Sequence, residues 1–260
     1  MKIKMMSGLP GSGKSTEARK IVDTGNSGRI NRDDLRAMVF NGKWTGKREG
    51  VVIEIEKAIA NILMKNNIVP VIDDTNLSQS HRDMWNDVAV KSGASLEVIK
   101  MTTSLEECIN RDIQRNNRVG EAVINRMALR NGLINFGKKK IVIVDCDGTI
   151  CNGNHRMHHI EGENKNWATY FNLMSLDTPI DLVVRWVREL SLDHTIVILT
   201  GRPEDYQFLT INWLRENNVP FDYIFMRGSS DMRSDTLVKG EIIDLLPKEQ
   251  ILMALDDRPS

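Results

Sequence analysis

Two groups of residues on this chain have the types and spacing needed to handle phosphate, by opposite chemistry. Gly8-Leu9-Pro10-Gly11-Ser12-Gly13-Lys14-Ser15 is a complete G-x-x-x-x-G-K-[ST] loop. Glycines let the backbone turn tightly and aim N–H groups at phosphate oxygens, and a helix opening on the loop adds partial positive charge. Lys14 suits the outer phosphates of a nucleotide and Ser15 suits Mg2+. Gly8, Gly11, Ser12, Gly13, Lys14, Ser15 and Thr16 make up the expected nucleotide-binding set, with ATP or another NTP as phosphate donor. The second group, Asp145-Cys146-Asp147-Gly148-Thr149, directly follows the apolar run Ile141-Val142-Ile143-Val144. It reads as a carboxylate nucleophile that removes phosphate. Two carboxylates this close call for a cation, again Mg2+.

A phosphate loop specifies a nucleotide and not its acceptor. Transfer to a hydroxyl benefits from a carboxylate that takes the proton. Asn31-Arg32-Asp33-Asp34-Leu35-Arg36 is the segment that offers one. Either Asp33 or Asp34 suits the base, and Arg36 falls one helical step away to hold phosphate. The same acidic pair equally suits the opening turn of a helix. Arg111, Arg115 and Arg118 suit the charge of a transferring phosphoryl group, or a solvated basic helix face.

These residues need scaffolding, and the apolar pattern supplies it. Residues 2–7 read as a buried strand and 15–22 as a helix opening on the loop. Helices are expected at 35–40, 51–64, 81–91, 105–116 and 121–133, and strands at 68–72 and 95–101. Pro70 weakens the strand at 68–72. Gly137-Lys138-Lys139-Lys140 forms a basic joint, which places a domain boundary between 137 and 138. Beyond it the alternation resumes, with strands at 141–145, 195–199, 221–226 and 251–255 and helices near 180–190, 205–216 and 238–245. The fold class is therefore α/β, with two domains (1–137 and 138–260), each a parallel sheet with flanking helices. Ligands in such sheets bind at the carboxyl ends of the strands, where the polar groups fall. Cys146 should point into the sheet core, away from the chemistry.

Composition narrows the classes. Lys plus Arg (35) equals Asp plus Glu (35), which argues against a general nucleic-acid coat protein but allows a local basic groove. Three cysteines without framework spacing fit a reducing cytoplasm. Residues 1–7 run straight into the loop, leaving no room for a signal peptide. No apolar stretch approaches the ~18 residues of a membrane span.

The segments at 8–15 and 30–36, Asp74-Thr75-Asn76 and Arg115-Asn116-Asn117-Arg118 resemble, in order and spacing, the kinase domain of phage-type polynucleotide kinase/phosphatases. The resemblance implies that Asp33 is the general base and that Arg36 contacts the acceptor side. It assigns Arg115 and Arg118 to the nucleobase and phosphates of the donor, although the family spaces this pair slightly further apart. Asp74 matches a functionally sensitive position, or simply orders loops. The second half resembles the haloacid dehalogenase-like (HAD) phosphatases. By that resemblance Asp145 is the nucleophile, Asp147 the acid and then the base, and Thr149 steadies Asp147. Thr200 holds phosphate in Thr200-Gly201-Arg202, Lys239 opens a helix and neutralises phosphate, and Asp256 and Asp257 complete a metal site with Asp145 and Asp147.

Residues 152–177 carry His155, His158, His159, Trp167, Tyr170 and Phe171 where HAD phosphatases insert substrate-contacting elements. The aromatic residues suit stacking on a base or building a small core. Arg227 and Arg233 suit a substrate backbone, or plain solvation. The family ordinarily continues with a helix and strand after the acidic pair, whereas this chain has three residues after Asp257, so a compact version or a missing cover is expected.

The resemblance spans nearly the whole chain. It implies an end-healing enzyme that phosphorylates 5′-hydroxyl ends of RNA or DNA and removes 3′-phosphates, coupled functionally to a ligase. A phage-infected or bacterial cytoplasm fits, and an oligomer is possible. Two other readings stand beside it: a small-molecule kinase fused to a HAD metabolite phosphatase, and a chain of which one half only binds.

Overall fold

The computed structural model describes residues 1–258, and the chain divides into two compact units, Met1–Arg115 and Asn116–Ser260. The first unit alternates β1 (Lys2–Ser7), α1 (Lys14–Thr24), β2 (Ser27–Ile30), α2 (Arg32–Phe40), α3 (Gly46–Lys65), β3 (Val69–Ile72), α4 (Gln79–Lys91), β4 (Ser95–Lys100) and α5 (Leu105–Ile113). Its strands form a four-stranded parallel sheet in the order β2-β3-β1-β4. Ile3 and Met5 face the larger core with Trp85, Val52 and Ala60, while Met6 faces Ala18 and Val71 on the other side. This alternation is the period of two that a strand buried on both faces requires.

Strand β2 has no counterpart in the sequence expectation. Ser-Gly-Arg-Ile carries no apolar run, and only pairing with β3 makes it a strand. Pro70 sits inside the sheet after all. It pairs with Gly28 of β2, and β3 meets β1 from Val71 onward, so the missing N–H falls before that ladder begins.

The second unit contains α6 (Glu121–Arg130), β5 (Ile141–Val144), β6 (Cys151–Asn152), α7 (Trp167–Asn172), β7 (Thr178–Pro179), α8 (Asp181–Asp193), β8 (Thr195–Pro203), α9 (Gln207–Glu216), β9 (Tyr223–Arg227), α10 (Asp235–Leu245) and β10 (Ile251–Leu255). The parallel sheet has the order β10-β5-β8-β9, and β6 and β7 make a small antiparallel pair. Val142, Val144, Ile196, Ile198 and Ile224 pack on one face, and Ile141, Ile143, Val197, Leu199 and Phe225 on the other. β10 is an edge strand with Leu252 and Met253 exposed.

The compact units divide ahead of the expected boundary at 137/138. Helix α6 packs against β9, and its Ala122 and Leu129 join the cores of the second sheet. The basic joint at residues 137–140 lies inside that unit, because burial of an apolar helix face outweighs a local composition change. Two registers position the chemistry. Met5 pairs with Ile72, so Asp73 emerges beside the phosphate loop. Val144 pairs with both Ile198 and Leu255, so Asp145 and Asp256 emerge at neighbouring strand ends, and Thr200 follows two residues after Ile198 on β8.

Candidate active sites

In the first unit the loop closes directly onto helix α1, whose N-cap is Gly13. Gly11 has φ +80°, and a Cβ there would meet the Cys108 carbonyl oxygen at 2.3 Å, so only glycine fits. Lys14 Nζ donates to the Leu9 carbonyl at 2.7 Å and lies 3.5 Å from Ser12 Oγ. Burial lowers the Lys14 ammonium to about 8, against the pull of Asp73. Ser15 Oγ donates to Asp73 Oδ1 at 3.2 Å, and Arg29 Nε donates to Asp73 Oδ2 at 2.6 Å. A hydroxyl and a carboxylate at this spot are hard oxygen donors that fit a divalent cation beside nucleotide phosphates. Asp73 enters the site through strand register, since it lies 58 residues from Ser15.

A cavity of about 450 Å³ opens over the loop, lined by Lys14, Ser15, Thr16, Arg19, Arg111 and Arg115. Arg111 stands in the last turn of α5 and Arg115 two residues beyond its end at Ile113, and both line the cavity. Arg118, grouped with Arg115 in the sequence reading, lies exposed in the irregular segment of the second unit.

Helix α2 begins at Arg32, earlier than expected. Its N-cap is Asn31, whose side chain accepts from Asp34 N, with Asp33 and Asp34 in the first turn. The two aspartates have different partners. Asp34 is held by Arg29. Asp33, with its side chain 84% exposed, is met by Arg36, which is anchored in turn to Glu49 at 2.8 Å. Asp74 accepts from Arg32 N at 3.0 Å and lies 3.3 Å from Arg32 Nε, so it fixes the start of α2. Glu56 is fully buried beneath this point, 3.0 Å from Arg32 Nε. Burial and the neighbouring Asp74 raise its carboxyl against the pull of Arg32.

In the second unit Asp145, Asp256 and Asp257 present carboxylate oxygens within 4.8 Å of one another. Gly148 has φ +81°, and a Cβ there would meet Asp257 Oδ2 at 2.4 Å, so the glycine admits that carboxylate. An all-oxygen donor set of this charge fits a hard divalent cation. Lys239 Nζ lies 3.1 Å from Asp145, 3.0 Å from Asp256 and 3.4 Å from Asp235. Burial works against the Lys239 charge, but these carboxylates hold its pKa well above the usual lysine value. Lys239 stands one turn inside α10, which opens at Asp235, rather than at the helix start. Burial pushes Asp145 up to about 6, against the pull of Lys239.

The sequence puts Asp147 in the metal set with Asp145, Asp256 and Asp257; in the structure its carboxylate meets two arginines and lies outside that three-carboxylate group. Its carboxylate accepts from Arg202 Nε at 3.0 Å and Nη2 at 2.7 Å, and from Arg156. Burial alone would raise it, but the two guanidiniums outweigh burial and hold it at about 2. Both arginines are buried, and both also bond Asp177, whose side chain is fully enclosed. Arg156 and Asp177 were invisible as site residues in the sequence, since nothing local marks them. Thr149 Oγ1, expected to steady Asp147, has no hydrogen-bond partner among the described residues.

Thr200 is buried within β8, three residues before its end at Pro203, its Oγ1 3.3 Å from Arg202 N. Cys146 lies in the sheet core, where burial pushes its thiol up to about 12. Arg227 laces its own loop, donating to the Gly201 carbonyl at 3.0 Å and to Asp235 at 3.2 Å. Arg233 pairs with Asp231 and Glu241 at the surface. His155 Nε2 lies 3.0 Å from Asp177.

Asp177→Ala is expected to destabilise the second unit by about 3–5 kcal/mol, because it leaves two buried guanidiniums sharing one carboxylate. Urea unfolding followed through the phosphatase-type unit checks this, and a loss under 1 kcal/mol (roughly the worth of a surface pair) would contradict it.

The comparisons agree with this division of labour. Residues 3–132 match the family described as AAA domain, and residues 139–260 match the polynucleotide kinase PNKP phosphatase domain. A putative bifunctional polynucleotide kinase/RNA ligase of Autographa californica nuclear polyhedrosis virus is 26% identical over 97% of this chain. The chain spans about two-fifths of that relative, 39% of its length. A probable adenylyl-sulfate kinase of Aeropyrum pernix is 28% identical over 41% of this chain and 62% of its own. A chain in the structure of the Pnkp1/Rnl/Hen1 RNA repair complex is 23% identical with a TM-score of 0.46, covering 99% of this chain and 90% of that one. A P-loop unit of this kind uses a nucleotide, and a HAD-type unit uses a divalent metal. Among the described residues no helix is long and apolar enough to cross a membrane. The chain belongs to the AAA-domain family through residues 3–132, and its residues 139–260 are similar to the polynucleotide kinase PNKP phosphatase domain.

Proposed function

We propose that this protein heals nucleic-acid ends, phosphorylating 5′-hydroxyls with ATP or another NTP and hydrolysing 3′-phosphates. The observation that carries the reading is the pairing, on one chain, of a complete phosphate loop having an acid–arginine acceptor side with a second unit whose acidic strand ends match the phosphatase domain of polynucleotide kinases.

In the kinase reaction Lys14 and the loop N–H groups hold the donor phosphates, with Arg111 and Arg115 above them. Asp33, oriented by Arg36, accepts the proton of the 5′-hydroxyl as its oxygen attacks the γ-phosphorus. Ser15 and Asp73 would hold Mg2+ there, and Asp145, Asp256 and Asp257 would hold it in the phosphatase, where it would neutralise phosphate charge.

In the phosphatase reaction Asp145 attacks phosphorus and the bond to the 3′-oxygen breaks. That oxygen takes a proton from Asp147. Water then attacks the aspartyl-phosphate, returns its proton to Asp147 and frees inorganic phosphate. The two guanidiniums keep Asp147 ionised at rest, so it is free to accept a proton although weakly basic. For its part as acid, the charge of the incoming phosphate opposes the two guanidiniums and favours the protonated form. Lys239 and Thr200 steady the transferring phosphoryl group. The products are ends a ligase joins, which fits the viral relative named as a kinase/RNA ligase.

The test uses one oligonucleotide with a 5′-hydroxyl and a 3′-phosphate, incubated with the protein, ATP and Mg2+, each end being resolved by mass. Gain of a 5′-phosphate with loss of the 3′-phosphate is the expected result. ATP hydrolysis with both ends unchanged would overturn it in favour of a small-molecule kinase–phosphatase fusion.

A further inference from the structure

The second unit carries an aromatic row that the chemistry above does not use. Trp167, Tyr170 and Phe171 fall three and four residues apart on α7, a spacing that puts them on one helical face. Their environments diverge. Tyr170 is buried, with the Arg156 guanidinium carbon 4.1 Å from its ring centroid. Arg156 is one of the two arginines that clamp Asp147. Tyr170 therefore has a partner, and packing explains it.

Trp167 is not explained in that way. It remains 48% exposed, although it stacks on Phe171 with centroids 5.8 Å apart and planes 25° apart. Phe171 in turn meets Tyr206 at 5.0 Å and 33°. Tyr206 follows β8 by a short turn, four residues after Arg202. The row thus joins the segment carrying Arg156 to the segment carrying Arg202, and both arginines touch Asp147. A small satellite core would bury its largest ring. This one leaves an indole half open at the outer end of a row that begins one side chain from the reacting carboxylates.

We infer that Trp167, backed by Phe171 and Tyr206, is a stacking platform for the nucleobase of the nucleotide that bears the 3′-phosphate. The inference rests on the polynucleotide 3′-phosphatase reading and adds to it how a polynucleotide end is told from a bare phosphomonoester. A π-face accepts any base, so the platform selects for the presence of a base and not for its identity.

The test compares three phosphatase substrates in the presence of Mg2+: a 3′-phosphorylated oligonucleotide, the same oligonucleotide with an abasic 3′-terminal nucleotide, and p-nitrophenyl phosphate. Trp167→Ala is expected to raise KM for the first about tenfold, in line with the loss of one base–aromatic stack, with kcat within about twofold. The wild-type protein should pay a similar penalty on the abasic substrate, where the variant should lose nothing more. Hydrolysis of p-nitrophenyl phosphate should be unchanged, and Trp167→Phe should recover most of the KM.

An unchanged KM for the intact oligonucleotide would overturn the inference. So would equal losses on intact and abasic ends, which would point to a protein partner or a packing role for the indole. A parallel loss on p-nitrophenyl phosphate would overturn it as a disturbance of the site. If the wild-type protein hydrolyses p-nitrophenyl phosphate but no 3′-phosphorylated oligonucleotide, the polynucleotide reading itself fails and takes the platform with it.

Discussion

Asp145→Asn is expected to lower 3′-phosphatase turnover by about 10⁴-fold or more, because it removes the proposed nucleophile while keeping its shape. Kinase turnover should be unchanged, since the phosphate loop belongs to the other compact unit. The same substitution should stabilise the metal-free protein. Asp145 is buried beside Asp256 and Asp257, and its carboxyl is raised from 3.8 to about 6 by burial against the pull of Lys239. A carboxyl raised on folding binds its proton more tightly in the native state. Its charged form therefore costs stability at neutral pH, by about 2–3 kcal/mol at 1.36 kcal/mol per pKa unit.

The sign follows from the two pKa values. Below 3.8 both states are protonated and there is no penalty; between 3.8 and about 6 the penalty grows with pH; above that it is fully present. The variant's advantage in urea unfolding of the metal-free protein should thus be full at pH 7.5 and vanish below about pH 4. An equal difference at both pH values would show that burial of the Asp145 charge is not its source. The site thus keeps a buried charge at a cost in stability.

Lys14→Ala should cut 5′-kinase turnover by about 10³-fold, the scale of losing a preorganised charge on the transferring phosphate, and leave the phosphatase intact. Its pH behaviour gives a second readout. With burial lowering Lys14 to about 8, a growing share of the nucleotide-free protein carries it neutral above that pH. Nucleotide phosphates raise it again, so binding takes up a proton in that range. Wild-type ATP affinity should therefore fall as pH rises from 7 to 9, whereas the Ala variant, weaker throughout, should lose that dependence. Isothermal titration in buffers of different ionisation enthalpy measures the proton uptake, and none at pH 9 would contradict the assignment.

Some of this was legible before any fold. The phosphate loop works through contiguous backbone, so residues 8–15 carry its chemistry in their order alone. The segment Asp145-Cys146-Asp147-Gly148-Thr149 is similar, since a strand end and a glycine turn set its geometry locally. Apolar runs at Ile3, Met5 and Met6 and at Ile141 to Val144 announce buried parallel strands because both faces are covered. Cys146 packs in the core as the alternation along the chain predicts, although β5 itself ends at Val144.

Other features had no local signature. Ser-Gly-Arg-Ile becomes strand β2 only beside β3. Helix α6 joins the second unit because its apolar face finds β9, although composition changes later in the chain. Asp73 reaches Ser15 across 58 residues, and Arg202 reaches Asp147 across 55. Asp147 follows most clearly from this. Its place in the motif marks it as an acid–base group, but its low pKa comes from Arg156 and Arg202, which Asp177 holds in place, converging on it. Local order specifies which groups are available, since turns and strand ends depend on neighbours in the chain. Their charge states depend on burial and on partners brought from far away, and only the packed fold supplies those.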